Sequence, residues 1–186
     1  MLAAGLARRM GRQKLLLPLR GTPIVRWSVV ALRPHVDDLV VVTGADAEAV
    51  HAALEGLPVR LVANPRPEAG QGSSIAVGAA ALSPGTRAVI IALGDQPHVP
   101  DDVVPALLAT WRRTGHAIVA PVYRGVQGTP VLFAAEVFAE LAALTGDTGA
   151  RGVVGARPER VARVAFDTPM PADVDTPEDF ARLHVE

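Results

Sequence analysis

Hydrophobic and polar positions along the chain fall into two alternating rhythms. Short β-branched runs, Val40-Val41-Val42-Thr43, Val59–Ala63, Ala88–Leu93 and Ala117–Val122, read as strands. The third is apolar on both faces, as expected of a central parallel strand covered by helices on each side. Between the runs lie helical stretches. Asp46 is placed to cap one that turns Val50, Ala53 and Leu54 inward. Val104, Leu107, Leu108 and Trp111 fall at i, i+3, i+4 and i+7 of another. Pro105 is tolerated there only in the first turn, so that helix should begin near Asp102. Tyr123 to Phe133 predicts a hairpin-like excursion around Gly125 and Gly128, followed by a helix carrying Val137, Leu141 and Leu144. Near the end, Thr176 is placed as an N-cap with Pro177 at the first helical position and Glu178 and Asp179 behind it.

Strands separated by helices of about ten residues predict a parallel or mostly parallel sheet with right-handed crossovers. No linker divides the chain, so residues 1–186 are expected to form one domain. The chain reaches Leu2-Ala3-Ala4-Gly5 almost at once, so either its first strand is very short or its start lies further upstream and the strand is truncated here. Composition narrows the function. With 49% apolar residues a sizeable core can form, and a net charge of −1 supplies no general attraction to nucleic acid or an acidic membrane. Two Trp, one Tyr and four Phe are too few for a base-stacking platform. The absence of cysteine excludes disulfides, thiolate metal sites and cysteine nucleophiles. No apolar run is long enough to span a membrane, and the basic residues follow the first apolar run rather than precede it, unlike a signal peptide. A cytoplasmic location is the expectation.

Candidate chemistry concentrates at loops. Leu6 to Lys14 carries Arg8, Arg9, Arg12 and Lys14 around Gly11, after Gly5. Backbone N–H groups turned inward beside such cations would cradle a triphosphate, although a solvated basic loop has the same composition. The loop is neither a Walker A sequence nor a G-x-G-x-x-G fingerprint. Gly94-Asp95-Gln96-Pro97 follows the central strand, at the sheet end where ligands bind in open α/β folds. Asp95 there suits Mg²⁺ or simply caps a turn. Asp173 and Asp175 alternate so as to face the same way; they would join Asp95 at a metal or complement the following helix. Gly70-Gln71-Gly72-Ser73-Ser74 opens a helix and offers hydroxyls to a nucleoside or to a cap. Gly146 to Arg151 precedes another and would cap it or offer Arg151 to a second anion. Of five histidines none pairs at metal-ligand spacing, and only His98 lies beside one of these motifs.

Together the motifs resemble the MobA/MocA-like nucleotidyltransferases. Leu2-Ala3-Ala4-Gly5, Arg9-Met10-Gly11, Lys14-Leu15-Leu16, Pro18 and Gly21-Thr22-Pro23 occur in the family's order. Gly72-Ser73-Ser74-Ile75, Gly94-Asp95-Gln96-Pro97, Gly128-Thr129-Pro130-Val131, Gly146 to Arg151 and Asp173 to Asp179 continue it over essentially the whole chain. The resemblance implies a three-layer Rossmann-like nucleotidyltransferase fold: a mostly parallel twisted sheet with an antiparallel strand, and helices on both faces. It implies Mg²⁺, with Mn²⁺ as an alternative, and transfer of a nucleoside monophosphate to an acceptor phosphate with release of pyrophosphate. The Leu-Ala-Ala-Gly and Gly-Asp-Gln-Pro forms look like the branch that uses CTP and molybdopterin; guanylyltransferases typically show Leu-Ala-Gly-Gly. Ala7 stands where the family often has Ser, so backbone donors would replace that hydroxyl.

By the same resemblance, Arg9, Lys14 and Asp95 would be catalytic. Leu2, Ala3, Ala4, Gly5, Arg9, Met10, Gly11, Lys14, Gly72, Ser73, Ser74 and Gly94 would hold the nucleotide. Gly128, Asp147 and Arg151 would face the acceptor. Asp95 and Asp175 would bind the metal with Asp173 in reserve. A molybdoenzyme or chaperone would receive the product, with no nucleic acid or membrane partner. The competing readings are a sibling enzyme with another nucleotide or acceptor and a nucleotide-binding module that transfers nothing.

Overall fold

The computed structural model describes residues 1–5 and 13–183. In chain order it contains β1 (Leu2–Ala3), β2 (Pro18–Leu19), β3 (Thr22–Pro23), α1 (Ile24–Leu32), β4 (Val40–Thr43), α2 (Ala47–Ala53), β5 (Arg60–Ala63), α3 (Gln71–Ala80) and β6 (Ala88–Ile91). Then follow α4 (Val103–Thr114), β7 (Ile118–Tyr123), β8 (Val126–Gln127), β9 (Val131–Ala134), α5 (Phe138–Ala142), α6 (Arg151–Ala156), β10 (Val161–Phe166) and α7 (Pro177–Arg182).

Three strands run β5-β4-β1, all parallel. Four more run β6-β9-β7-β10. The two sets meet where Leu2 bridges Leu93 in parallel, with Leu2 N–H donating to the Ala92 carbonyl and Gly94 N–H to the Leu2 carbonyl, both at 2.8 Å. The resulting order is β5-β4-β1-β6-β9-β7-β10. Only β9 runs against its neighbours within this path, and β10 rejoins β7 in parallel. β8 folds back antiparallel on the end of β7, as the glycines around it predicted.

Strand periodicity explains the three layers. On β7, Ile118 and Ala120 enter a cluster with Ile75 of α3, Leu141 of α5 and Val153 and Val154 of α6. Val119, between them, points to the opposite face and packs with Val103 and Leu107 of α4. On β9, Val131 and Phe133 take the first face and Leu132 the second. A third cluster joins Val25, Val29 and Leu32 of α1, Val50 of α2 and Val104 of α4 to Ala3 and Val41. Helices therefore cover both faces, and the dense apolar runs are the central strands.

The helix starting beyond Asp102 begins at Val103, with Pro105 in its first turn where its missing N–H is harmless. Thr176 caps α7 in a full capping box with Asp179. Asp46 departs from expectation. It precedes α2, but its side chain makes no capping bond; Oδ2 instead accepts from Gln13 Nε2 at 2.7 Å. A partner from a distant loop outcompetes the local N–H. The helix expected around Leu141 and Leu144 is also shorter than its pattern, ending at Ala142. No helix among the described residues is long and apolar enough to cross a membrane.

Candidate active site

A cleft of about 510 Å³ opens at the carboxyl ends of β1 and β6. The loops leaving two adjacent parallel strands diverge there, and this is where open α/β sheets bind ligands. Among its walls are Leu2, Ala3, Ala4, Gly5, Lys14, Ser74, Asp95, Asp147, Arg151, Asp173 and Asp175. The fold thus brings together residues from six separate stretches of sequence. Arg9, Met10 and Gly11 lie outside the described residues.

The acidic corner is built first from backbone. The Gly94 carbonyl accepts from the buried Ser28 hydroxyl at 2.9 Å, and the Asp95 carbonyl accepts from Val174 N–H at 3.2 Å. These bonds fix the turn that presents the Asp95 carboxylate and tie it to the segment holding Asp173 and Asp175. Val174 between those two is fully buried, so alternation sends both carboxylates into the cleft. Asp179 Oδ2 accepts from the Asp175 and Thr176 N–H groups and steadies the end of the segment.

Lys14 closes the corner. It sits on a 3-10 turn, Lys14–Leu16, whose start is capped by the Gln13 side chain, itself held by Asp46. Its ammonium donates to Asp95 Oδ2 and, at 2.6 Å, to Asp175 Oδ1. Burial opposes charge on this ammonium, yet the Asp95 and Asp175 carboxylates outweigh it and raise the Lys14 pKa.

Asp173 is held differently. Its Oδ1 accepts from Gln96 Nε2 at 2.8 Å. Gln96 is buried, and its Oε1 accepts from the Thr129 hydroxyl at 2.6 Å. Although Asp173 touches solvent within the cleft, the surrounding protein strips away enough water to raise its pKa, and the negative charge of Asp95 pushes the same way. The resemblance puts Asp95 and Asp175 at the metal with Asp173 in reserve, and in the fold the three carboxylates have different partners. Among the described residues no group of three His, Asp or Glu side chains is arranged to hold a metal ion. Asp95 and Asp175 converge on a single point, and Asp173 is drawn aside by Gln96.

Those two carboxylates still suit Mg²⁺ or Mn²⁺, which take one or two carboxylates and complete their shell with water and phosphate oxygens. The Lys14 ammonium, lodged between them, is a stand-in cation showing that the point attracts positive charge.

The opposite wall is made by close backbone approach. Gly72 N–H donates to the Gly146 carbonyl at 2.8 Å, and a Cβ at Gly72 would meet the Thr145 backbone at 2.7 Å. Gly70, at φ +94°, faces Gly146 and Asp147 so tightly that a side chain there has no room. This packing brings Asp147 to the cleft wall, where Arg151 also lies. Gly72 and Gly94 do not themselves line the cleft; they let the loops approach, Gly94 against Leu2 and Gly72 against Thr145. Ser73 is also outside the walls. Its Oγ accepts from Asn64 Nδ2 at 2.8 Å and lies 2.8 Å from the Gly70 carbonyl, to which it donates. Ser74, which does line the cleft, takes a second Asn64 N–H at 3.0 Å. Gly128 stands apart, packed against the Tyr123 ring and Met170, and His98 is likewise outside the walls.

Several contributors escaped the sequence reading. Asn64 and Ser28 were not singled out, and Gln96 was read only as part of a motif. Their signal was weak: Asn64 and Gln96 are lone polar residues just beyond strands and Ser28 a lone hydroxyl within α1, each explicable as surface. Pro67, Glu68 and Gln71 also line the cleft, contributed by the loop and helix start next to the glycines that were noted.

Residues 1–162 match the MobA-like NTP transferase domain. The purine catabolism protein PucB of Bacillus subtilis (strain 168) is 33% identical over 96% of this chain and 91% of its own length. The nicotine blue oxidoreductase of Paenarthrobacter nicotinovorans is 34% identical over 98% and 94%. A molybdenum cofactor guanylyltransferase of Rhodobacter capsulatus is 33% identical over 97% and 91%. A crystal structure of Rv0371c from Mycobacterium tuberculosis H37Rv in complex with manganese superposes with a TM-score of 0.83 at 33% identity, covering all of this chain and 95% of that one. The chain therefore belongs to the MobA-like NTP transferase family, and its fold is that of a nucleotidyltransferase.

Proposed function

We propose that residues 1–186 act as one unit that transfers CMP from CTP to the phosphate of molybdopterin, releasing pyrophosphate. The observation that carries this reading is the convergence of Lys14 with Asp95 and Asp175 beside the Leu2–Gly5 loop. It supports a cation and a divalent-metal site where a triphosphate would meet the backbone donors of a strand end.

An acceptor phosphate oxygen attacks the α-phosphorus in line. A new P–O bond forms as the bond to the bridging oxygen of the β-phosphate breaks, and that electron pair leaves on pyrophosphate. The nucleophile is already anionic, so no strong general base is required, and the protein's work is positioning and charge neutralisation. Asp95 and Asp175 would hold a divalent cation, Mg²⁺ or Mn²⁺, whose contribution is neutralisation of triphosphate oxygens. Lys14 and Arg9 stabilise the charge growing on the leaving group, with backbone donors between Ala4 and Gly11. Ala3, Ala4 and Ser74 border the nucleoside. Asp147 and Arg151 face the acceptor from the far wall. Gly128 contributes through the Thr129 hydroxyl that orients Gln96, rather than by contact.

CTP is favoured because Ala4, the position that is glycine in the Leu-Ala-Gly-Gly form, lines the cleft and would leave less room beside a base. GTP is the second reading, favoured by the guanylyltransferase named among the relatives. Pyrophosphate release with molybdopterin and Mg²⁺, compared across CTP, GTP, ATP and UTP, separates them. Release with CTP alone, lost in Asp95→Ala, is the expected result. Release with GTP in place of CTP would overturn the base assignment. No release with any nucleotide, from folded protein that still binds CTP, would overturn the acceptor.

A further inference from the structure

The acidic corner contains a contradiction between what it attracts and what it can admit. Asp95 and Asp175 reach for one point, and that point holds the Lys14 ammonium. Lys14 is mostly buried there, with its side chain 12% exposed. Its turn is braced by Gln13 and Asp46, so the ammonium is delivered by the fold and does not reach in from a loose surface chain.

We infer that Lys14 occupies the metal position in the free protein, so that Asp95 and Asp175 take up a divalent cation only when Lys14 moves away onto a triphosphate. The inference rests on the nucleotidyltransferase reading of the cleft but not on the identity of the base or the acceptor.

The physical reason is competition between a tethered cation and a free one. A metal ion must reach the carboxylate oxygens at about 2.0–2.1 Å for Mg²⁺, which leaves no room for an ammonium on the same oxygens. The ammonium is already at high effective concentration because the chain carries it there. The apparent affinity of the free protein for metal is therefore reduced by the fraction of time Lys14 is elsewhere. A triphosphate changes both sides of this balance. Its oxygens offer Lys14 a partner of higher charge, and they complete the metal's shell. Lys14 thus makes metal and nucleotide strengthen each other's binding, and by linkage the coupling is reciprocal. A single lysine then has two stations, one between the carboxylates before the substrate arrives and one on the phosphates afterwards.

The test is a Mn²⁺ titration without nucleotide, read by the electron paramagnetic resonance of free Mn²⁺, on the wild type, Lys14→Met, Lys14→Gln and the double variant Lys14→Met/Asp95→Asn. Removing the ammonium should tighten Mn²⁺ binding roughly tenfold or more, the size expected when charge-assisted contacts that compete with the metal are deleted. The double variant should lose that gain, which assigns the bound Mn²⁺ to Asp95. Circular dichroism and thermal melting check folding, and Lys14→Gln serves if Lys14→Met does not fold. A folded Lys14 variant that binds Mn²⁺ no more tightly than the wild type overturns the inference. A wild type that takes up no Mn²⁺ with any nucleoside triphosphate overturns the nucleotidyltransferase reading instead, and the variant comparison without nucleotide is still decisive for Lys14.

Discussion

The two walls of the cleft are built by opposite means. One is a corner of charges: Lys14, Asp95, Asp173 and Asp175, with Gln96 and Thr129 behind them. The other is a seam of backbone, where Gly70 and Gly72 meet Thr145, Gly146 and Asp147 with no space for a Cβ. The charged wall depends on which atoms carry charge and is indifferent to modest changes of volume. The seam depends on volume and is indifferent to charge. Substitutions on the first should therefore alter chemistry with the fold intact, and substitutions on the second should alter the fold's stability and, through it, the chemistry.

The strongest test of this contrast is Asp95→Ala. Loss of a metal carboxylate should lower turnover by about 10³-fold or more while the melting temperature stays near that of the wild type. Unchanged turnover in the folded variant would remove Asp95 from the metal site. Lys14→Ala should follow, with turnover down about 10²–10³-fold, because a phosphate clamp acts mainly in the transition state. Single-turnover kinetics with saturating nucleotide would isolate that effect from binding. On the seam, Gly72→Ala should cost about 1–3 kcal/mol of stability by overpacking, read as a lower midpoint in urea. A Gly72→Ala protein as stable as the wild type would mean that the seam yields easily.

Arg151→Ala tests whether the far wall serves the acceptor. KM for the acceptor should rise about tenfold with kcat nearly unchanged, as for loss of one charged contact made equally before and during reaction. A fall in kcat alone would move Arg151 to the leaving group. The smallest effect concerns Asp173. Its pKa is raised in the folded protein by partial burial and by Asp95. The charged form is thus disfavoured by folding, and its destabilising effect appears as pH rises from the ordinary carboxylate range through the elevated folded value. Metal-free Asp173→Asn should melt slightly higher than the wild type at neutral pH. That difference should vanish under acidic conditions, where Asp173 is protonated in both states. A difference that persists at low pH would point to the Gln96 hydrogen bond as its cause.

Much of the fold was legible because its signals are local. The start of α4 beyond Asp102 and the capping box at Thr176 rest on interactions within a few residues, and the run from Val40 to Thr43 is marked by its β-branched residues alone. Asp46 shows the limit. Its position before a helix satisfied every local rule, yet its carboxylate belongs to Gln13, 33 residues away in sequence.

The amino-acid sequence by itself determined the alternation of strands and helices, the carboxylates and cations available, and the order of motifs that marks the family. These depend on periodicity, capping and chemical type, which short stretches carry. Only the tertiary structure decided which charges meet. Lys14 and Asp95 are 81 positions apart, and Lys14 and Asp175 are 161 apart. Their contact exists because β1 is inserted between β4 and β6 and the Asp173–Asp175 segment is tied to the Asp95 carbonyl. No local pattern records that insertion, because it is set by the packing of the whole sheet, and so neither the split between Asp173 and Asp175 nor the seat of the Lys14 ammonium was visible before the chain was folded.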